Sequence, residues 1–216
     1  MKKSEAYIKI IALTVCVLLL CAVLADLYRF SICFKAAKNL PPLCETVPIR
    51  FLIYGSGSDT VSAVFHLYNS KNEEFAAVER SWKGETLHID FIGASFGGKT
   101  LYFPRCILGY AAGASAGVPV GFSAGISALT SCRCGTRLSR YYMQKELCRL
   151  YDFAGYEKDF FRLARYALRL DIFGLSQRIS GTPYNPHRTL NLAACEPGKT
   201  YIIKTDSNGG LEVLAE

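Results

Sequence analysis

Two stretches of this 216-residue chain carry residue types and spacings that could do chemistry. The first is Gly93-Ala94-Ser95-Phe96-Gly97-Gly98-Lys99-Thr100, which matches the phosphate-binding loop pattern letter for letter. In that loop backbone amides surround the phosphates, the lysine reaches the β and γ oxygens, and the hydroxyl binds magnesium. Gly93, Gly98, Lys99 and Thr100 would fill those roles. The pattern also demands a helix starting at the lysine, and Leu101-Tyr102-Phe103-Pro104 reads as strand instead. A glycine-rich hairpin turn accounts for the same letters.

The second is Gly121-Phe122-Ser123-Ala124-Gly125, a match to the nucleophile elbow, with another match at Gly113–Gly117. An elbow stands its serine proud of a parallel sheet, between a strand and a helix. Ser123 as nucleophile, with Asp171 and His187 as partners, gives a serine hydrolase in the usual chain order. The alternating strand–helix series that builds such a sheet is missing. Two matches within thirteen residues reflect a segment saturated in Gly, Ala and Ser. His66, His88 and Asp90 could share one sheet face as an acid–base group. The simpler reading is a solvated outer face.

Metal chemistry has few ligands to draw on. Histidine occurs three times, and Cys132-Arg133-Cys134 is too closely spaced for the usual zinc pair. The expectation is no metal and no cofactor. Of nine cysteines, seven lie outside the apolar N-terminal stretch, an odd number at irregular spacing. That argues against a disulfide framework and for small core residues, with one or two disulfides left open if the body faces outward.

The remaining chemistry is charge. The chain carries a formal +7, and residues 137–188 hold ten Lys/Arg against five Asp/Glu. Arg162, Arg165 and Arg169 recur along one face of an expected helix. That stripe suits anionic lipid headgroups better than nucleic acid, because no nucleic-acid motif accompanies it.

These residues have to be positioned by elements, and the first element decides the address. Ile10–Ala25 is sixteen residues without a charge, behind Met1-Lys2-Lys3. Extended from Ile8 to Leu27 it reaches the length of a spanning helix. It reads as a signal anchor over residues 1–27. A cleaved signal, cut between Ala25 and Asp26, is the alternative, and lipidation at Cys16 or Cys21 is disfavoured by the bulky residues before them. Lys2, Lys3 and Lys9 before the segment nearly balance Arg29, Lys35 and Lys38 after it. Orientation therefore rests on the default insertion of short N-terminal signals, with the body extracytoplasmic. If the signal is cut, the body is secreted.

Residues 28–49, with Pro41, Pro42 and Pro48, read as an extended neck. Period-two alternation then predicts an antiparallel meander of about five strands over 50–108. In the second strand Val61, Ala63, Phe65 and Leu67 take one face. Pro104 places the fifth strand at an edge. Residues 109–128 form a Gly/Ala/Ser connector. Residues 138–173 read as an αα-hairpin: Met143, Leu147, Leu150 and Tyr151 share a face of the first helix, and Phe160, Leu163, Ala164 and Ala167 a face of the second. Residues 175–198 read as loop, and a C-terminal β-hairpin over 200–214 turns at Asn208-Gly209. The expected architecture is α+β, one domain over 50–216 behind an N-terminal transmembrane helix. The leading function is a non-catalytic binding or structural module of the cell envelope. It would be anchored through residues 8–27, with a protein partner or anionic lipid and no nucleic acid.

Overall fold

A computed structural model describes residues 2–41, 45–96, 99–110, 135–173, 187–205 and 210–216. The protein is mixed α+β, with one long N-terminal helix, antiparallel sheets, short helical elements and C-terminal strands.

Helix α1 runs Lys2–Asn39, a span with no glycine or proline to interrupt it. It ends where Pro41 forces Leu40 away from helical geometry. The neck expected over residues 28–49 is therefore helical for its first half. Phe30, Cys33, Ala37 and Leu40 fall three and four residues apart and pack into the body's core, which supplies the reason. From Lys9 to Ala25 the same helix is exposed on every side. Within Lys9–Asn39 it is long and apolar enough to cross a membrane.

The meander exists but is split between two sheets. Strands β1 (Thr46–Ser56), β2 (Thr60–Tyr68) and β3 (Glu74–Lys83) pair in sequence. β10 (Thr200–Thr205) and β11 (Leu211–Ala215) extend that sheet beyond β1, giving the order β11-β10-β1-β2-β3. Ile49, Phe51, Ile53, Val61, Ala63, Phe65 and Leu67 are buried, while their neighbours Arg50, Ser62 and His66 are not. One face is thus core and the other polar, as period-two alternation requires. The register sets Phe51 between Phe65 and Tyr201, with ring centroids 5.4 and 5.5 Å apart. Trp82 meets Phe65 edge-on.

At Gly84 the chain leaves this sheet for a second one. Gly84 has φ +128°, and a Cβ there would lie 2.5 Å from the Tyr110 nitrogen, so only glycine fits the crossing. Strands β4 (Thr86–Phe96) and β5 (Lys99–Tyr110) pair along their whole length. β6 (Thr136–Arg137) and β9 (His187–Asn191) complete the order β6-β5-β4-β9. β9 falls in the stretch expected to be loop; its alternation is short and lies among prolines. Pro104 sits beyond the two residues that pair with β6, beside a register shift between Asp90 and Phe91. At that level the strand has an edge and needs no donor there. The two sheets are tied by Thr136, whose hydroxyl accepts from Trp82 Nε1 (3.1 Å) and Arg80 Nη1 (3.2 Å).

The helical hairpin is not formed as expected. Its first arm is a four-residue helix, α2 (Ser139–Tyr142). A two-stranded ribbon follows, β7 (Met143–Gln144) against β8 (Leu147–Cys148). Lys145 and Glu146 turn that ribbon with φ +49° and +60°, a two-residue turn with both central positions left-handed. Buried Leu138, Tyr142, Cys148, Leu150 and Tyr151 satisfy the core without a helix. The second arm is a helix, α3 (Glu157–Phe173), with Glu157 and Asp159 in its first turn, where carboxylates favour the helix dipole. Phe160, Leu163, Ala164 and Ala167 are buried as the periodicity predicts. α3 packs against the body-proximal end of α1 and against β4, β5 and β8. The connector over 109–128 and the hairpin turn at Asn208-Gly209 lie outside the described residues, apart from Gly109 and Tyr110 in β5.

Candidate functional site

Of the two sequence motifs only the phosphate-loop stretch falls in part among the described residues, and there it does not acquire the surroundings its chemistry needs. Gly93 lies inside β4, opposite Tyr102, and a Cβ there would come 3.0 Å from the tyrosine ring. This glycine makes room for an aromatic neighbour. Lys99 opens β5 opposite Phe96, and Thr100 pairs with Ser95, so a strand begins where the phosphate loop requires a helix. Gly98 lies outside the described residues. So does Ser123, together with both elbow-like pentapeptides. Asp171 lies near the C-terminal end of α3, and His187 opens β9 opposite Ile92.

His66, His88 and Asp90 do not form one group. His66 belongs to the first sheet, where Nδ1 meets Glu74 Oε1 at 2.9 Å on the polar face. His88 and Asp90 belong to the second sheet and are buried, not solvated. Arg105 Nη1 donates to Asp90 Oδ2 (3.2 Å) and Thr189 Oγ1 donates to Asp90 Oδ1 (3.4 Å). The His88 ring lies 4.1 Å from that of Tyr110, and burial pushes its pKa below the ordinary value. The Asp90–Arg105 ion pair is held inside a strand framework, with Thr189 as a further partner of Asp90. A buried pair of this kind adds little net stability, because desolvation offsets its Coulombic gain.

Two clefts remain. The first, about 270 Å³, is lined by Asn69, Glu73, Glu74, Phe75, Leu147, Cys148, Arg149, Asp152 and Glu157. Its charges are largely engaged internally. Lys71 Nζ bonds Asp152 (2.9 Å), Asn69 Nδ2 donates to Glu73 (2.9 Å), His66 takes Glu74, and Arg149 lies 5.2 Å over the Phe75 ring. It is a junction that seats the β7–β8 ribbon against the β2–β3 turn.

The second cleft differs. About 340 Å³ is enclosed by Arg29, Ile32 and Cys33 of α1 and Arg162, Arg165 and Tyr166 of α3. The two helices are fastened beneath it: the Cys33 thiol donates to the Arg162 carbonyl (3.8 Å), and Phe30 packs on Tyr166 with centroids 6.2 Å apart. All three arginines are exposed. Asp159 Oδ1 accepts from Arg162 Nη1 at 3.0 Å, which occupies one of five donors on that guanidinium. The structure thus brings Arg162 and Arg165 of the expected stripe together, and Arg169 follows one turn further along α3. It adds Arg29, which the sequence reading had set aside as a mere flank. The signal for it was present. Tyr7 and Tyr28 bracket the apolar stretch 21 residues apart, about 31 Å along a helix axis. That matches a bilayer core of roughly 30 Å, with aromatic residues at both interfaces. Arg29 follows directly after Tyr28 in the sequence.

Among the described residues no group of three His, Cys, Asp or Glu side chains is arranged to hold a metal ion. Cys33 and Cys148 are buried thiols, and burial raises the Cys148 pKa to about 12, which keeps it protonated and inert. No known protein family matches the chain, and no characterised protein or solved structure is detectably similar to it.

Proposed function

We propose that this chain is a single-pass, membrane-anchored envelope protein whose body is a non-catalytic binding or supporting module, held on the extracytoplasmic side. One observation carries the reading. α1 is exposed on all sides from Lys9 to Ala25, with Leu13, Leu18, Leu19 and Leu24 each more than half exposed, yet its last turns are core. An apolar surface of that extent is not left in water by a folded protein. A bilayer covers it. Helical continuity through Val23-Leu24-Ala25-Asp26 also favours retention over cleavage, because a peptidase needs extended backbone at its site. The default insertion of short N-terminal signals supports the outward body.

The test is carbonate extraction of native membranes, followed by protease added from the outer side. The proposal expects the chain to resist extraction and its body to be cut. Release by carbonate would end the anchor, and a body protected from outside protease would reverse the orientation. A serine-hydrolase reading stays separable: covalent labelling by a serine-reactive probe, lost in Ser123→Ala, would be required for it.

A further inference from the structure

We infer that the arginine cleft between α1 and α3 is a seat for the phosphate of an anionic membrane phospholipid. The inference rests on the anchored reading and deepens it by naming the ligand class of this site.

Three observations meet here. The first is place. Counting from Tyr28 at the interface, Arg29 comes next and Ile32 and Cys33 one turn later, so the cleft opens where the helix leaves the hydrocarbon. The second is charge. Three guanidiniums converge on one cleft from two helices, with Asp159 on Arg162 and Asp26 one turn before Arg29 as the carboxylates nearby. The balance remains positive. Lys35 and Lys38 add exposed charge on the next turns of α1. The third is chemistry. Guanidinium forks match phosphate oxygens two at a time, and they are weakly hydrated enough to do so at a bilayer surface. Ile32, Cys33 and Tyr166 give the cleft an apolar wall, which a glycerol backbone tolerates and a free ion does not require. The acyl chains would then lie along the exposed face of α1 below Arg29.

No comparable site exists elsewhere among the described residues. The carboxylate cleft is lined mainly by acidic side chains, of which Asp152 and Glu74 already meet Lys71 and His66, and the Asp90–Arg105 pair is buried in its own sheet. The arginine cleft joins an opening, converging charges of one sign and contact with the bilayer plane.

The experiment uses the full-length chain in lipid nanodiscs, of phosphatidylcholine alone or mixed with phosphatidylglycerol. Thermal unfolding and lipid retention in native mass spectrometry are read together. The wild type should retain phosphatidylglycerol over phosphatidylcholine and unfold at a higher temperature in the mixed discs. Arg162→Gln/Arg165→Gln should lose that preference by about tenfold per guanidinium, the worth of a charge-assisted hydrogen bond. Arg162→Lys/Arg165→Lys should fall between, keeping charge without the fork. Lys199→Gln, on an exposed ion pair far along the chain, should match the wild type. Circular dichroism confirms that each variant is folded. Equal retention of both lipids by the wild type overturns the inference, as does undiminished preference in the double glutamine variant. Equal stabilisation by soluble glycerol 3-phosphate would assign the site to a free phosphate and overturn it as well. A chain released by carbonate sinks the anchor itself. A chain that stays in the membrane without lipid preference sinks only this site.

Discussion

The two ends of α1 belong to one helix but differ in what surrounds them. From Ile10 to Ala25 the side chains are nearly all apolar around the full circumference, and all are exposed. From Phe30 to Leu40 a stripe of Phe30, Cys33, Ala37 and Leu40 enters the core, while Lys35 and Lys38, with Ile32 and Phe34, stay exposed. A helix that is apolar all round needs lipid or protein on every side, while a striped one needs a single partner. Arg29 marks the change. The difference teaches that the exposed apolar half of α1 is not joined to the body by a loose neck: the same helix runs on into the core.

The comparison can be broken most severely by removing one end. Deleting residues 2–24 should move the chain wholly into the soluble fraction while leaving a cooperative thermal transition, because Cys33, Ala37 and Leu40 remain. A truncated chain that still sediments with membranes would contradict the division. Next in size, Leu18→Arg places a charge in mid-span and should cost insertion about 3 kcal/mol. The expected readout is a shift of the chain into the carbonate supernatant with unchanged circular dichroism of the body. A smaller effect separates two alanines on the same helix. Ala37 is 2% exposed and Ala22 is exposed. Ala37→Leu should destabilise the body by roughly 1–3 kcal/mol through overpacking, while Ala22→Leu leaves its denaturant midpoint unchanged.

Two weaker predictions sharpen the claim that the body is a unit of its own. Burial lowers the His88 pKa, so its neutral form is favoured by folding. That stability is fully present above the unfolded value of about 6.5 and is lost as pH falls through the lower folded value. His88→Phe should flatten the acid limb of stability against pH, in the truncated chain as in the full one. Last, Glu146 holds φ +60° in the β7–β8 turn. Glu146→Gly should raise stability by a few tenths to about 1 kcal/mol, read as a higher unfolding midpoint with no change in membrane partition.

How much of this was legible in the residues depends on the range of the forces involved. Alternation in Val61–Tyr68 named the buried face of β2 correctly, because period two is a local property. The Thr200–Thr205 and Leu211–Ala215 strands were marked by the turn between them. What escaped was decided at a distance. Nothing local says that β4 leaves the first sheet at Gly84; that follows from the close approach of Tyr110. Met143, Leu147, Leu150 and Tyr151 have helical spacing, yet the ribbon at Lys145-Glu146 wins by tertiary packing. The stripe of α1 beyond residue 27 was readable, since 30, 33, 37 and 40 are helical steps, but the composition shift at Asp26 and the prolines from Pro41 drew the boundary too early. For the site, Arg162 and Arg165 were visible as a stripe. Arg29 was visible only as a flank of the apolar stretch, because only folding brings it beside Arg162 and Arg165 from the other helix.

The most direct measurement is the depth of α1 in a bilayer. A spin label at Leu18, and another at Lys38, would be tested for collision with lipid-soluble oxygen and with an aqueous nickel chelate. The account predicts that Leu18 meets oxygen and is shielded from nickel, while Lys38 shows the reverse on the same continuous helix. Nickel reaching Leu18 as readily as Lys38 would contradict it, and the exposed apolar half of α1 would then need a protein partner rather than a membrane.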